Sequence, residues 1–397
     1  MSTERMNQID LNAPPIAQTV QQRSLVVGVI FAVVSVAGFF IAPDQFFRSY
    51  LLGYMLWLGL TLGCMAFLMI QHLTGGGWGT VIRRFLEAGS RTIPLMIVLF
   101  IPIILGMRRL YIWTNPDFMS KEEHLKTLAR QYLNPNFFVI RAVIYFAIWF
   151  VMIHFLSRWS VEQDSPPMKS VLGLRKLSAP GLVIYAFSIS FAVIDWIMSL
   201  TPPWISTIYA MIFIVGQCLS ALCFVVAICA MLYRYQPMSR VLKPDDVQDH
   251  GKLMLAFIML WAYFSFSQLL IIWAGNLPDE ITFYTRRFVG GWQVVGLLLA
   301  AFHFAVPFAL LLSRPFKRDP RRLVKLAVWM IFMRYVDLYW FIEPSFHNTF
   351  YYHWLDLVVP IAIGGLWMAL FFHYLRQRPL LAAYDPRSQV LLEPAHE

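Results

Sequence analysis

Charged residues and cysteines are scarce in this 397-residue chain, and each shortage excludes a class of protein. Only 14% of the residues are charged and 59% are hydrophobic, which is outside the range of soluble globular proteins. The four cysteines lie inside apolar runs without a CxxC pair, so we expect no disulfide framework and no iron–sulfur or zinc site. No apolar run carries two well-spaced interior histidines, as two stacked haems would require. We therefore expect no metal cofactor held by this chain.

Long hydrophobic runs are abundant instead, and the mean hydropathy is +0.61. An α-helix needs roughly 20 apolar residues to cross the hydrocarbon core of a bilayer. The sequence predicts an all-α, polytopic integral membrane protein with about ten transmembrane helices. The predicted runs are 24–42, 50–73, 91–113, 137–157, 180–200, 204–233, 252–273, 291–313, 322–343 and 352–375.

A short turn at 201–204, with the sequence TPPW, divides the predicted membrane domain into two similar halves. The turn is too short to hold a domain, so the runs on either side of it form a transmembrane hairpin. Helices 2–5 and helices 6–9 start on the same side of the membrane. We therefore predict two four-helix bundles, flanked by helices 1 and 10, in a membrane domain over 24–375. Segments 1–23 and 376–397 would precede and follow it.

The distribution of basic residues predicts the orientation of the chain. Ten crossings place both termini on one side, and 22 of the 32 Lys and Arg residues lie on that side against 8 on the other. The positive-inside rule then makes both termini cytoplasmic. The net charge of +10 therefore reflects topology and contact with anionic lipid, above all in the loop Arg314–Lys325, and we expect no nucleic-acid partner. The longest outer loop, 114–136, contains KEEHLK and should form a short amphipathic helix.

A few charged or polar side chains lie within the predicted helices, where they are costly and often functional. Asp195 has no basic neighbour on its own helix, which favours a functional role. Arg334 and Asp337 share one helical face, so they form either a packing pair or part of a proton path. Glu343 and Asp356, towards the outer ends, are either part of that path or interfacial and wet. The complete set of proton-path candidates is Asp195, His303, Arg334, Asp337, Glu343 and Asp356.

Several long stretches are similar to one known family. These stretches are DWIMSLTPPWISTIY at Asp195–Tyr209, the segment Asp249–Glu280, RYVDLYWFIEPSF at Arg334–Phe346, FIPIILGMRRLYIWTNP at Phe100–Pro116 and the segment Tyr132–Trp149. They resemble the polysulfide reductase membrane-subunit (NrfD-like) superfamily. Within it, the chain resembles a membrane subunit of alternative complex III, a bacterial quinol:cytochrome c oxidoreductase.

This resemblance implies a location in the bacterial inner membrane and the same arrangement of two four-helix bundles with two further helices. It implies no enzymatic activity for the chain alone and no metal cofactor of its own. The implied partners are a larger, related ten-helix subunit that binds quinol, an iron–sulfur subunit, multihaem and monohaem cytochrome c subunits, lipids and, in some assemblies, a terminal oxidase. Quinone contact is a further implication, but no quinone pocket is assigned to particular residues.

Two other functions remain open on the sequence. Ten helices, paired bundles and buried acids also suit a stand-alone, proton-coupled secondary transporter. Most central runs, however, lack the Gly-rich interruptions that mark the broken helices of transporters. The other hypothesis is that the chain is a purely structural anchor for peripheral redox subunits, in which the buried acids only form pairs.

Overall fold

A computed structural model describes residues 10–164, 171–382 and 388, and these residues form helices and connections with no β-strand among them. Its long helices are α1 Pro15–Ile41, α2 Pro43–Thr74, α3 Gly77–Leu105, α4 Pro135–Val161, α5 Val171–Trp196, α6 Tyr209–Leu232, α7 Pro244–Gly275, α8 Trp292–Leu312, α9 Pro320–Ile342 and α10 Leu355–Arg376. The short helices are Met107–Leu110, Ile112–Thr114, Pro116–Met119, Glu123–Gln131, Glu162–Asp164, Met198–Leu200, Met238–Val241, Pro278–Arg287, Arg314–Arg318 and Glu343–Ser345.

Local sequence explains many of the helix boundaries. The helices α1, α2, α4, α7 and α9 begin with proline, whose fixed φ suits the first helical position and whose missing N–H is not needed there. Asn134 caps α4 by accepting a hydrogen bond from the Phe137 backbone N–H at 2.9 Å. Gly75 (φ 68°) ends α2 and Asn276 (φ 44°) ends α7, both in the left-handed region that stops a helix.

Nine of the helices in the described part of the chain are long and apolar enough to cross a membrane, which makes the chain a multi-pass membrane protein. The exception is α9, which has 23 residues but carries charged side chains along its length, including Arg334 and Asp337. A tenth crossing by α9 therefore stays a prediction. Helix α1 begins and helix α10 ends on the same side of the protein, which we call the terminal end. The opposite side, which contains the turn at Pro202, is the distal end.

The two predicted four-helix bundles are present. In the first bundle, α2 and α4 each pack against α3 and α5. In the second bundle, α6 and α8 each pack against α7 and α9. Contact between α2 and α6, the most buried helices, joins the bundles. The flanking helices α1 and α10 pack against each other and against α2. The backbones of α1 and α10 approach closely at Gly28, which has no Cβ; an added Cβ there would lie 2.6 Å from the Leu366 nitrogen.

The largest difference from the predicted runs concerns the third helix, which begins at Gly77 and not at 91. The missed turns contain Arg83, Arg84 and Glu87, which hydropathy assigns to a cytoplasmic loop. These side chains are buried and form ion pairs with one another, so they are accommodated inside the protein. Helix α1 also begins earlier than predicted, at Pro15, and α7 begins at Pro244.

The KEEHLK stretch lies at the start of the helix Glu123–Gln131, so the predicted short helix in the longest distal loop is confirmed. Parts of the two predicted terminal segments fall outside the described residues, namely 1–9, 383–387 and 389–397. The described start of the C-terminal segment is held to the protein, because the Leu380 backbone N–H donates to the Leu11 carbonyl at 2.7 Å.

Candidate functional site: buried charges between the helices

The structure divides the six candidate residues among three clusters. The first, which we call the Asp195 cluster, consists of Asp195, Arg141 and Tyr145. Arg141 of α4 donates from Nε to Oδ2 at 2.8 Å and from Nη2 to Oδ1 at 2.9 Å, and the Tyr145 hydroxyl donates to Oδ2 at 2.8 Å. The Asp195 side chain is fully buried, and the Arg141 side chain is partly buried. This paired geometry fixes α4 against α5 and leaves Asp195 fully hydrogen-bonded.

The second group, the Asp337 cluster, lies between α6, α7, α8 and α9 and contains Asp337, Arg334, Trp261 and His303. Arg334 Nη1 pairs with Asp337 Oδ2, and both side chains are buried. The Arg334 guanidinium also lies over the Phe213 ring, 5.3 Å from its centroid. The pairing predicted from the three-residue spacing is therefore present, and α6 covers it from one side.

Gly216 of α6 leaves the space that the Arg334 guanidinium occupies. A Cβ at this position would lie 2.5 Å from Arg334 Cζ, so the guanidinium would have to shift. The small residue therefore lets α6 and α9 approach with a charged group between them.

His303 completes the Asp337 cluster from α8. Its ring stacks on the Trp261 indole with centroids 4.2 Å apart and an interplanar angle of 3°. The Trp261 indole in turn lies close to the Asp337 carboxylate, and His303 lies within electrostatic reach of Arg334. His303 is fully buried and lies near the Met333 backbone.

The backbone around His303 is itself unusual, because residues Leu299–Ala305 form a π-helical turn. Pro307 cannot donate to the carbonyl four residues earlier, and the widened turn lies just before it. In this turn the Phe302 carbonyl accepts a hydrogen bond from the Trp329 indole of α9 at 3.0 Å. Such turns are frequent at functional sites, and this one holds a titratable ring in the interior.

The third group, the Glu343 cluster, lies at the distal end and contains Glu343, Asp356, His347 and Arg48. Both carboxyl groups are fully buried within the protein, which argues against the alternative in which they are interfacial and wet. Asp356 accepts hydrogen bonds from the Gln45 side chain at 2.9 Å and the His353 backbone N–H at 2.8 Å, and a further one from Ser49. These bonds satisfy the charged form of Asp356.

Glu343 is held differently, because neither of its carboxyl oxygens has a hydrogen-bond partner among the described residues. His347 Nε2 lies 4.0 Å from Oε2, and the same ring nitrogen lies 3.1 Å from Arg48 Nη1. Glu343 lies just beyond the last residue of α9. Burial, with a smaller effect from Asp356, raises its pKa to about 8, against the opposing charge of Arg48. The carboxyl is therefore largely protonated at neutral pH.

The environment of His347 also favours the neutral form, which for an imidazole means a lowered pKa. Burial, and then the positive charge of Arg48, lower the pKa of His347. The Glu343 cluster thus presents a protonated acid beside a neutral base, with a fixed positive charge next to both. If the two groups approach from 4.0 Å to hydrogen-bond distance, a proton can pass between them without a net charge entering the protein.

Sequence reasoning missed the partners of these residues and one further network. Arg141 and Arg48 gave only a weak signal, as single basic residues in or beside apolar runs. The missed network at the terminal end centres on Glu87, which pairs with Arg83, Arg84 and Arg378 and accepts a hydrogen bond from Ser160. It ties α3 to α4 and to the chain after α10, which is a structural role.

No group of three or more His, Cys, Asp or Glu side chains suited to a metal ion occurs in the part of the chain that the structure describes. Within the same residues, the cysteines Cys64, Cys218, Cys223 and Cys229 are buried and unpaired. The helices and these clusters define a polytopic, all-α membrane protein with charged side chains buried between its helices. No protein-family model matches the chain, and no curated protein matches it.

Proposed function

We propose that the chain is a non-catalytic membrane subunit of a bacterial respiratory quinol:electron-acceptor oxidoreductase of the alternative complex III type. It would be the counterpart of the smaller of the two ten-helix subunits in that complex, known as quinone-binding subunit 2. Two features support this proposal: the long stretches that resemble the family, and the pair of four-helix bundles that this resemblance implies. The partners would be the larger quinol-binding subunit, the iron–sulfur subunit and the cytochrome c subunits, with a terminal oxidase in some assemblies.

The proposed location is the bacterial inner membrane, with both termini in the cytoplasm. The excess of Lys and Arg on the side of the termini supports this orientation. The distal end, with the Glu343 cluster, would then face the periplasm, where quinol oxidation releases protons.

The proposed contribution of the chain is proton transfer and assembly. The observation that carries the proton role is Glu343, a fully buried carboxyl without a hydrogen-bond partner among the described residues, placed beside the neutral imidazole of His347. The Arg334–Asp337 pair lies on α9, the helix that ends just before Glu343, and the buried ring of His303 on α8 completes this cluster. Asp356 and Arg334 would position these groups. Quinone contact remains part of the proposal without an assigned pocket.

A purely structural anchor is the second candidate, and the closed ion pairs favour it. Asp195 is held by two bonds from Arg141 and one from Tyr145, so it has little freedom to carry a proton. Removing one partner of a buried pair is strongly destabilising because it leaves an uncompensated charge, so Asp195 and Arg141 need each other in the folded protein. For Asp195 itself we therefore favour a structural role over a place in the proton path.

Glu343→Gln in the intact complex separates the two candidates. In proteoliposomes under a membrane potential, it should slow proton release and quinol oxidation together, and an uncoupler should restore quinol oxidation. Asp44→Asn is the matched control, because Asp44 is an exposed carboxylate that also lies at the distal end, in the first turn of α2. Unchanged proton release and unchanged quinol oxidation in Glu343→Gln would leave the structural anchor as the better reading.

The identity of the complex needs its own test, by purifying the chain gently from native membranes and staining a native gel for haem. Mass spectrometry of the band should find a multihaem cytochrome c and an iron–sulfur protein. A stable, haem-free band of this chain alone would contradict the proposal and favour the transporter. Solute-driven flux in proteoliposomes holding only this chain would then be the next measurement.

A further inference from the structure

A cavity of about 500 Å³ opens at the distal end, and four arginines line it. We call it the arginine cavity; the four residues are Arg48, Arg108, Arg109 and Arg286. They come from three separate parts of the chain: α2, the short helix Met107–Leu110 and the short helix Pro278–Arg287. Residues of the turn at Pro202 and of the Glu343–Ser345 helix also line the cavity. The cavity therefore lies where the connections of both bundles meet.

The positive charge in this cavity is only partly compensated by the protein. Among the described residues, no Asp or Glu lines it. Arg109 pairs with Asp44, and Arg48 contacts His347 while its buried Nε has no hydrogen-bond partner. Arg108 and Arg286 form no ion pair in the described structure.

Arginines at the end of a membrane helix often extend into water simply to solvate their charge. That interpretation accounts for one or two exposed arginines, but not for four from three separate segments around one concave space. Like charges brought together repel one another, and a bound anion removes this repulsion. Arg48 is also partly buried, and its contact with His347 holds it in place at the cavity wall.

We propose that the arginine cavity binds a phosphate group, carried either by a soluble polyphosphate or by an anionic phospholipid head group. The planar guanidinium presents paired N–H donors that match phosphate oxygens, so several arginines suit a multiply charged phosphate ligand. The volume exceeds the space that a single phosphate ion needs and lies in the range of small-ligand sites. Asn115, Thr201 and Ser345 add neutral hydrogen-bonding side chains to the wall. This proposal does not rest on the proposed respiratory function.

The test uses the full-length chain in nanodiscs of neutral phosphatidylcholine, with inorganic pyrophosphate as the soluble probe. The double variant Arg108→Gln/Arg286→Gln removes two exposed, unpaired charges and leaves the buried contacts of Arg48 in place. We expect saturable pyrophosphate binding to weaken at least about tenfold in this variant, and to weaken in the wild type as ionic strength rises. The matched control is Lys126→Gln/Arg130→Gln, which removes two charges from the distal helix Glu123–Gln131 outside the cavity.

Native mass spectrometry distinguishes the two sources of phosphate. Retention of phosphatidylglycerol or cardiolipin by the wild type and the control, and its loss from Arg108→Gln/Arg286→Gln, would identify a lipid head group. Saturable pyrophosphate binding with the same dependence on these arginines would identify a soluble ligand. Binding that is equal in both double variants, or no binding of either probe to the wild type, would overturn the proposal.

Discussion

Replacing Gly216 by alanine should displace the Arg334 guanidinium and break its pair with Asp337. Gly216 lies on α6 where this helix faces α9, and an added Cβ would lie 2.5 Å from Arg334 Cζ. The guanidinium cannot move into water, because Arg334 and Asp337 are both buried. The substitution would therefore leave an uncompensated carboxylate in the protein interior.

The expected loss of stability follows from two opposing contributions. Breaking a buried ion pair costs about 3–5 kcal/mol in the free energy of unfolding. Replacing glycine by alanine inside a helix contributes about 1 kcal/mol in the other direction. The net loss for Gly216→Ala should then be about 2–4 kcal/mol.

The matched control is Gly296→Ala in α8, where the nearest atom to the new Cβ, Trp340 Nε1, is 3.5 Å away. This is an ordinary van der Waals distance, so the control should be as stable as the wild type or gain up to about 1 kcal/mol. The assay is reversible unfolding of the purified full-length chain in detergent micelles. In a double-mutant cycle, Asp337→Asn should destabilise the Gly216→Ala protein less than the wild type, because the pair is already broken. Equal stabilities for the two alanine variants would refute the reasoning.

Three further predictions use the same unfolding assay. Glu87→Gln should lose about 3–5 kcal/mol, because it leaves buried arginines without their counter-charge, whereas Glu123→Gln at an exposed site should stay within about 0.5 kcal/mol of the wild type. Tyr145→Phe should lose about 1.5–3 kcal/mol, the contribution of a hydrogen bond to a buried carboxylate, and an unchanged midpoint would contradict the bond to Asp195. Glu343 has a pKa of about 8 in the folded protein and an ordinary value of 4.5, so its contribution is present below about pH 4.5 and is lost as the pH rises to about 8. The slope should reach up to about 1.4 kcal/mol per pH unit in the wild type, and Glu343→Gln should flatten it.

Sequence reasoning predicted the helices well because the signal for each one is local. A run of some 20 apolar residues needs no knowledge of its neighbours to be identified as a membrane helix. The start of α3 was missed for a reason that concerns tertiary structure. Arg83 and Glu87 count as unfavourable in a hydropathy window, but their mutual pairing inside the protein removes most of that cost.

Among the candidate residues too, local pairs are predictable from the sequence, and pairs between helices are not. The Arg334–Asp337 pair was foreseen because a three-residue spacing on one helix places two side chains side by side. The pairing of Asp195 with Arg141 could not be predicted, because Arg141 is 54 residues away in sequence and lies on another helix. The burial of Glu343 also escaped prediction, since a carboxyl just beyond a helix end is equally compatible with water.

The sequence by itself determined that this is an all-α, multi-pass membrane protein divided at the Pro202 turn, and it determined which charged residues lie along the helices. Hydrophobic length and helix alternation are properties of short segments, so they can be identified without the fold. Only the tertiary structure decided which of these charges are paired, which carboxyl lacks a partner, and which arginines converge on a cavity. Such pairings depend on how each helix is rotated against several neighbours at once, and that rotation is fixed by packing over the whole molecule.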